Sequence, residues 1–255
     1  MNDDLDDVLS RIALHVENDV AEAEPTMFDD ADVVFSRKLK RLKMWGWPEQ
    51  YCKLKLPFAS VEDVDAERKA GMLRAWLLGM AGKGMLAVVL GLRGTGKTLS
   101  ACKLARDCGY ERAWYFSGDG LYRERLAKIG LGGSFERDFA VQIGHRRKSL
   151  LVLDEFQRGI GYKGEGRDLS LDFFEEVVNA RYNAELDTVI VANWTQEDFN
   201  QFMPDSVKDR VIQRRSENRG GVRWCGWRSF RRAWQISRNG CFGKNRNKHN
   251  NINIL

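Results

Sequence analysis

One eight-residue run, GLRGTGKT at 91–98, constrains this chain more than any other part of its sequence. It fits the pattern G-x-x-x-x-G-K-[ST] and lies between a continuous apolar run, 85–91, and a segment of helical character, 97–108. Glycines let such a loop curl until its N–H groups face a phosphate, and the N-terminus of the following helix adds partial positive charge. Lys97 would reach the β and γ phosphates, and the Thr98 hydroxyl would ligate Mg²⁺. The run therefore predicts a site for ATP and Mg²⁺.

The residues expected to contact the nucleotide belong to the loop and to the first turn of the helix after it. They are Gly91, Arg93, Gly94, Thr95, Gly96, Lys97, Thr98 and Leu99.

Two adjacent carboxylates end a second apolar run, LLVLDEF at 150–156. Because ligands of open α/β sheets bind at the carboxyl ends of the strands, we expect this pair to face the phosphate loop. Asp154 is predicted to hold the Mg²⁺ that Thr98 ligates, through the water shell of the ion, and Glu155 to orient and deprotonate an attacking water. The second carboxylate favours hydrolysis over nucleotide binding alone.

A third polar residue, Asn193, ends the apolar run TVIVANW at 188–194. An amide beside the γ-phosphate positions water without adding charge, although an Asn after a strand is also a common turn residue. With the two motifs before it, we interpret Asn193 as part of the catalytic site.

From residue 85 onward, apolar runs alternate with amphipathic segments. This alternation predicts an α/β fold with a parallel sheet flanked by helices. The predicted strands are 85–91, 112–118, 149–156 and 188–194, and the predicted helices are 62–80, 97–108, 168–184 and 196–202, with one more opening near residue 119.

Charge is distributed unevenly between the two ends of the chain. Residues 1–32 hold eleven Asp and Glu against one Arg, whereas residues 205–255 hold thirteen Lys and Arg against three Asp and Glu. The acidic end carries a helical apolar stripe, which docks either on the chain's own body or on a partner. The basic run RKLKRLK at 37–43 is either a solvated helix face or a contact with nucleic acid.

Composition excludes several classes of protein. Five cysteines without a C-x-x-C pair indicate reduced thiols rather than a zinc site or a disulfide framework. No apolar run approaches the ~18 residues needed to span a membrane, and the first residues are acidic where a secretory signal is basic. We therefore expect a cytoplasmic protein with no membrane partner. The expected organisation is a helical arm at 1–45, a nucleotide-binding core at 46–235 and a basic, Asn-rich tail at 236–255.

Taken together, the order of motifs resembles the DnaC/IstB-like helicase-loader ATPases of the AAA+ superfamily. The resemblance runs from about residue 46 to residue 232, and its most specific elements are NARY at 179–182 and the sequence from KDR to GWRSFR at 208–231. It departs from the family at Arg93, where Pro or Asn is usual, in the Gly-rich insertion at 157–168, and in the acidic arm.

The resemblance implies roles for single residues and for the whole protein. Arg210 matches an arginine finger acting in trans, Asn193 matches the first sensor, and Arg231 matches the second sensor. The fold implied is a P-loop NTPase of the AAA+ type without a full helical lid. The implied function is a helicase loader that binds ATP, Mg²⁺ and single-stranded DNA, self-associates, and loads or remodels a replicative helicase.

Alternatives stay open at this point. An IstB-like transposition helper, whose partner is a transposase, shares every catalytic residue with a loader. A small-molecule phosphate-loop kinase is less consistent with the Asp-Glu pair and the Asn after the next strand. The arginines considered for action on the γ-phosphate of a neighbouring subunit are Arg210, Arg214, Arg215, Arg228, Arg231 and Arg232. The residues considered for contact with DNA are Tyr122, Arg123, Arg125, those at 145–148, Lys163 and Trp234, whereas Trp224 and Trp227 are expected in the core.

Overall fold

The structure is a computed structural model, and it describes residues 31–52, 64–118, 120–121, 148–156 and 169–227. Several of the sequence predictions lie outside these residues. They concern the apolar stripe of the acidic arm, residues 122–125, 145–147 and 157–168, and everything from residue 228 onward, which includes Arg228, Arg231, Arg232 and Trp234.

A five-stranded sheet forms the centre of the described structure, and every pair of neighbouring strands in it is parallel. The strands are β1 (Leu86–Gly91), β2 (Arg112–Ser117), β3 (Ser149–Asp154), β4 (Asp187–Val191) and β5 (Gly220–Cys225). Their order across the sheet is β2-β3-β4-β1-β5. The strand that leads into the phosphate loop therefore lies inside the sheet, and β4 separates it from the strand that ends in the carboxylates.

Helices cover both faces of this sheet. They are α1 (Ala31–Met44), α2 (Glu49–Cys52), α3 (Val64–Met80), α4 (Lys97–Asp107), α5 (Leu169–Asn183), α6 (Gln196–Phe202) and α7 (Asp205–Ser216). None of the described helices is both long and apolar enough to cross a membrane.

Alternate residues of β1 enter two separate apolar clusters, which is why its sequence is apolar throughout. Ala87 and Val89 pack with residues of α1, α3 and α4, among them Leu42 and Leu104. Leu86, Val88 and Leu90 pack on the other face with residues of α5 and α7, namely Phe173, Val177, Val207 and Val211. The sheet is thus buried on both sides, as a parallel sheet requires.

The opposite end of the sheet from the carboxylates is fixed by Arg181, a fully buried residue of α5. Its guanidinium donates to the backbone oxygens of Ser149 and Asp187, at 3.1 and 2.7 Å, and to the Thr188 hydroxyl at 3.0 Å. Burial lowers the pKa of Arg181 to about 9. These bonds join the first residues of β3 and β4, so the charged group of the NARY sequence has a structural role.

The predicted α/β fold with a parallel sheet is confirmed, and the four predicted strands match β1 to β4 to within three residues at their ends. Strand β5 was not predicted from the sequence. Placing Trp224 in the core was wrong, because this residue lies on β5 at the sheet edge and is 47% exposed. Trp227 is partly buried against the cluster that contains Leu42.

Candidate functional site

The phosphate loop leaves the end of β1 through a close backbone contact. Gly91 has φ +128°, and a Cβ there would collide with the carbonyl oxygen of Cys225 at the end of β5. Gly94 and Gly96 follow with φ +81° and +85°, values that other residues rarely adopt. The glycines of the motif are therefore required by the backbone path of this loop.

Helix α4 begins directly after the loop. Gly96 is its N-cap residue, and the Gly96 oxygen accepts the first helical hydrogen bond from Ser100 N at 2.8 Å. Because the first N–H groups of a helix have no intrahelical acceptor, this end of α4 favours an anion. The buried Thr95 supports the loop, since its hydroxyl donates to Leu92 O at 3.0 Å.

Lys97 is the first residue of α4 and is only 5% exposed. Its ammonium group donates to the carbonyl oxygens of Gly91 and Leu92, at 2.8 and 2.7 Å, and to Asn193 Oδ1 at 3.0 Å. A buried ammonium group that already donates to several oxygens can bind an anionic oxygen with little movement of the side chains around it. The structure thus brings together Lys97 and Asn193, which lie 96 residues apart in the chain.

Asp154 lies at the carboxyl end of β3 and is 3% exposed. Its Oδ2 accepts a hydrogen bond from the Thr98 hydroxyl at 2.9 Å, and its Oδ1 accepts one from Glu155 N at 2.8 Å. A hydroxyl and a carboxylate oxygen at this separation are the hard oxygen donors that Mg²⁺ takes alongside phosphate oxygens and water. These two residues therefore fit the predicted metal role.

Among the described residues, no group of three or more His, Cys, Asp and Glu side chains could hold a metal ion by itself. In a Mg²⁺ site of the phosphate-loop kind, water and substrate phosphates supply most of the ligands. The Thr98–Asp154 pair accordingly suits a metal that arrives with a nucleotide.

Glu155 follows Asp154 in a left-handed backbone conformation, with φ +48°. A non-glycine residue in this region costs about 1–3 kcal/mol, and such strain concentrates at functional sites. The conformation ends β3 at Asp154 and leaves the Glu155 side chain partly exposed. The order of the strands places Asn193, which follows β4, between the phosphate loop and this carboxylate pair.

Tyr115 is a site residue that sequence reasoning missed. It lies on β2, and its hydroxyl donates to Asp154 Oδ2 at 2.8 Å, the same oxygen that accepts Thr98. Burial, reinforced by the nearby Asp154 carboxylate, raises the pKa of Tyr115 well above its usual range, so the hydroxyl remains a neutral donor. An aromatic residue in a predicted strand signals packing, and no sequence pattern singles out this hydroxyl.

Trp227 forms a second contact that was not predicted. Its indole N–H donates to the backbone oxygen of Thr95 at 3.0 Å, which ties the segment after β5 to the phosphate loop.

Two further residues predicted to contact the nucleotide differ in burial. Arg93 is exposed on the loop, and Leu99 is buried in the first turn of α4, 6% exposed.

The arginines of α7 differ in their surroundings. Arg214 is 3% exposed, donates to Glu217 Oε2 at 2.9 Å and to Tyr182 O at 3.1 Å, and stacks on the Tyr182 ring. Arg210 is partly buried, donates to Ser206 O at 2.8 Å, and lies 5.4 Å from the centre of the same ring. Arg214 therefore holds α7 to α5, whereas Arg215 is exposed. The contacts named for Arg210 are made to α5 and α7 rather than to the phosphate loop.

No protein-family model matches this chain, and no curated protein matches it. Solved structures do. A crystal structure of a DNA replication initiation factor has a TM-score of 0.50 at 20% identity, over 73% of this chain and 55% of that one. DnaA from Aquifex aeolicus bound to AMPPCP has a TM-score of 0.47 at 20% identity, over 72% of this chain and 54% of that one.

A third structure, DnaI, has a TM-score of 0.47 at 19% identity, over 70% of this chain and 94% of that one. The chain spans about half the length of the replication initiation factor and of DnaA. Similarity to solved structures at 19–20% sequence identity is evidence about the fold alone. The parallel sheet, its strand order and the likeness to the replication initiation factor together show a parallel α/β fold with a phosphate loop, shared with that protein.

Proposed function

We propose that this chain is an AAA+ ATPase that binds ATP with Mg²⁺ and hydrolyses it at the carboxyl edge of the sheet. The single observation that carries the proposal is the hydrogen bond between Thr98 and Asp154. It joins the phosphate-loop motif to the carboxylate motif across 56 residues of sequence, at the position where the two motifs need to meet for this chemistry.

We assign phosphate binding to the loop and to Lys97. The loop N–H groups and the start of α4 would bind the β-phosphate oxygens, and the Lys97 ammonium would exchange one of its neutral acceptors for an anionic phosphate oxygen. Because Lys97 is buried and already held among oxygens, little side-chain entropy is lost in this exchange.

We assign metal binding to Thr98 and Asp154, and we assign activation of the attacking water to Glu155. When bound, Mg²⁺ neutralises charge on the β and γ phosphates. Glu155 would accept a proton from the attacking water, and the Asn193 amide would orient that water and the Lys97 ammonium. Strain at Glu155 is consistent with a residue held in position for chemistry.

Arg210 is proposed to act on the γ-phosphate of a neighbouring subunit in an ATP-dependent oligomer. This assignment rests on the resemblance of its KDR sequence to the family's arginine finger. It is supported by the burial of Arg214 against Tyr182, which gives that neighbouring arginine a structural role. Arg231, which lies outside the described residues, is proposed as the second sensor on the resemblance alone.

The biological setting proposed is DNA replication, in which the oligomer binds single-stranded DNA and loads or remodels a replicative helicase. Because a fold does not fix a function, this part rests on the DnaC/IstB-like resemblance, together with the likeness to a replication initiation factor. A transposition helper is the alternative, since it uses the same catalytic residues.

The catalytic proposal is tested by Mg²⁺-dependent release of phosphate from ATP by the full chain. Lys97→Ala should abolish nucleotide binding, whereas Glu155→Gln should bind ATP normally and hydrolyse it about 10²–10⁴-fold more slowly. Lys103→Ala, at a partly exposed position of the same helix, and Glu176→Gln, exposed on α5, are the matched controls. Normal hydrolysis by both site variants would refute the assignment, and a phosphorylated acceptor in place of free phosphate would indicate a kinase.

The partner is tested by co-purification with a slowly hydrolysed ATP analogue, with Lys97→Ala as the control that cannot bind nucleotide. Recovery of a hexameric helicase that depends on Lys97 supports the loader. Recovery of a transposase on the same condition supports the helper instead.

A further inference from the structure

Both oxygens of the Asp154 carboxylate are held by neighbouring groups. The hydroxyls of Tyr115 and Thr98 reach Oδ2 at 2.8 and 2.9 Å, and Glu155 N reaches Oδ1 at 2.8 Å. Thr98 and Glu155 belong to the two nucleotide motifs themselves. Tyr115 enters from β2, the edge strand next to β3, and is the contact that links Asp154 to another part of the molecule.

On its other side, Tyr115 is held by the turn of residues 45–47 that follows α1. Its backbone N–H donates to Trp45 O at 2.9 Å, and its ring lies 5.0 Å from the Trp47 ring. Gly46, with φ +85°, passes so close to the Tyr115 carbonyl oxygen that a Cβ there would lie at 2.8 Å from it. The turn thus contacts Tyr115 through backbone and side chain together.

Trp47 attaches the turn of residues 45–47 to strand β2 and to the core. It is 3% exposed, and its indole N–H donates to Ala113 O at 2.6 Å. Helix α1, which ends directly before the turn, packs on α4 through the buried Leu42 and through Phe35, whose ring lies 5.5 Å from the Arg106 guanidinium. A continuous set of packed groups therefore runs from α1 through the turn to Tyr115 and Asp154.

We propose that Tyr115 is a positioning residue for Asp154, through which the turn at 45–47 controls how the site binds Mg²⁺-nucleotide. The proposal rests on the proposed ATPase function and adds a route by which the N-terminal part of the chain acts on the site. Its physical basis is that a carboxylate with fewer fixed donors samples more rotamers, and a buried metal ligand out of position costs affinity.

The first test removes only the hydroxyl. Tyr115→Phe keeps the ring on Trp47 and leaves Asp154 Oδ2 with the Thr98 bond. Nucleotide affinity is measured calorimetrically with Mg²⁺ and with EDTA, and the Mg²⁺ concentration for half-maximal hydrolysis is measured in parallel. We expect affinity in EDTA to be unchanged, and the gain from Mg²⁺ to fall about tenfold, as outer-sphere partners of metal ligands do when removed.

Tyr110→Phe is the matched control. Tyr110 is a buried tyrosine whose hydroxyl, like that of the partly buried Tyr115, donates to a buried carboxylate, here that of Asp187 at 2.5 Å. This pair lies at the beginning of β4, at the end of the sheet away from the site. The control loses the same kind of bond and should lose thermal stability, but its Mg²⁺ dependence should match that of the wild-type chain.

The second test concerns the route through the turn. Trp47→Phe should raise the Mg²⁺ requirement about threefold in the wild-type chain and have no further effect in a Tyr115→Phe background. Trp47→Tyr is the second variant at this buried position if Phe does not yield folded protein. Additive effects of the two substitutions would mean that the turn does not act through Tyr115, and would overturn that part of the proposal.

The outcomes separate the two levels of inference. A wild-type chain whose nucleotide affinity gains nothing from Mg²⁺ refutes the proposed function, and this inference with it. A wild-type chain that shows the gain while Tyr115→Phe retains all of it, in step with Tyr110→Phe, refutes the positioning role alone.

Discussion

At the scale of single residues, Gly91 illustrates a motif glycine that the fold itself requires. Its φ of +128° and the closeness of the Cys225 carbonyl oxygen leave no room for a side chain. Gly91→Ala should lower the free energy of unfolding by about 2–4 kcal/mol, because the end of β1 or of β5 has to move. Urea unfolding checks this. Gly79→Ala is the control, since its Cβ meets nothing within 4 Å and alanine favours the α3 helix.

The amide of Asn193 is a second test at this scale. Its Oδ1 accepts a bond from Lys97 at 3.0 Å, and it lies between the loop and the carboxylates. Asn193→Ala should slow ATP hydrolysis about 10–100-fold and change ATP affinity by no more than about threefold, because Lys97 keeps its two backbone acceptors. Single-turnover hydrolysis and equilibrium binding separate the two effects. A loss confined to affinity would make Asn193 a binding residue instead.

Sequence patterns found the residues of this site that follow strand ends. Lys97, Asp154 and Asn193 are each preceded by an apolar run, and parallel strands bring their carboxyl ends to one edge. Tyr115 could not be found in this way, because its role depends on which strand lies beside β3 and in what register. The register pairs Tyr115 with Val152, two residues before Asp154, and this information is not local to either segment.

At the scale of secondary-structure elements, Arg181 holds the starts of two strands to one helix. Arg181→Met would leave the backbone oxygens of Ser149 and Asp187 without its donors in a buried place. We expect the free energy of unfolding to fall by about 3–5 kcal/mol. Chemical denaturation measures this, with the exposed Arg215→Met as the control. ATP affinity per folded molecule should stay unchanged, since Arg181 lies at the opposite end of the strands from the site.

The strands and helices themselves were predictable to different degrees. Strands β1, β3 and β4 are buried throughout, and a continuous apolar run records that burial directly. β5 is an edge strand with two glycines and three exposed residues at its centre, so GGVRWC carries neither an apolar run nor a clean alternation. Its glycines instead allow close approach to β1, where a Cβ on Gly220 would collide with the Leu86 carbonyl oxygen.

At the scale of the whole molecule, the stability of the fold should depend on pH through Tyr110. Burial, together with the Asp187 carboxylate, raises the pKa of Tyr110 well above its usual value. In the unfolded chain this tyrosine loses its proton near pH ~10, whereas the folded chain keeps it. The unfolded state then binds fewer protons, so the free energy of unfolding falls as pH rises above about 10, and Tyr110 contributes at most ~1.4 kcal/mol per pH unit to this fall.

Urea unfolding across this alkaline range tests the sign. Tyr110→Phe should be less stable than the wild-type chain near neutral pH but should lose stability less steeply above pH ~10. Part of the alkaline slope should remain, because burial also raises the pKa of Tyr115 well above its usual range and the pKa of Cys225 to about 12. Equal slopes in the two proteins would show that Tyr110 titrates alike in the folded and unfolded chains.

The proposed self-association gives the last prediction, because an arginine that acts in trans requires one chain to complete the site of another. Arg210 lies on α7 with its guanidinium on Tyr182, whereas Lys97 and Asp154 lie at the carboxyl edge of the sheet. If Arg210 acts in trans, Arg210→Ala should bind ATP normally and hydrolyse it about 10³-fold more slowly. Mixing it with Lys97→Ala should restore hydrolysis, since the intact loop of one variant meets the intact arginine of the other. Arg215→Ala is the control and should behave as wild type. A mixture no more active than the sum of its two components would place Arg210 outside the catalytic site.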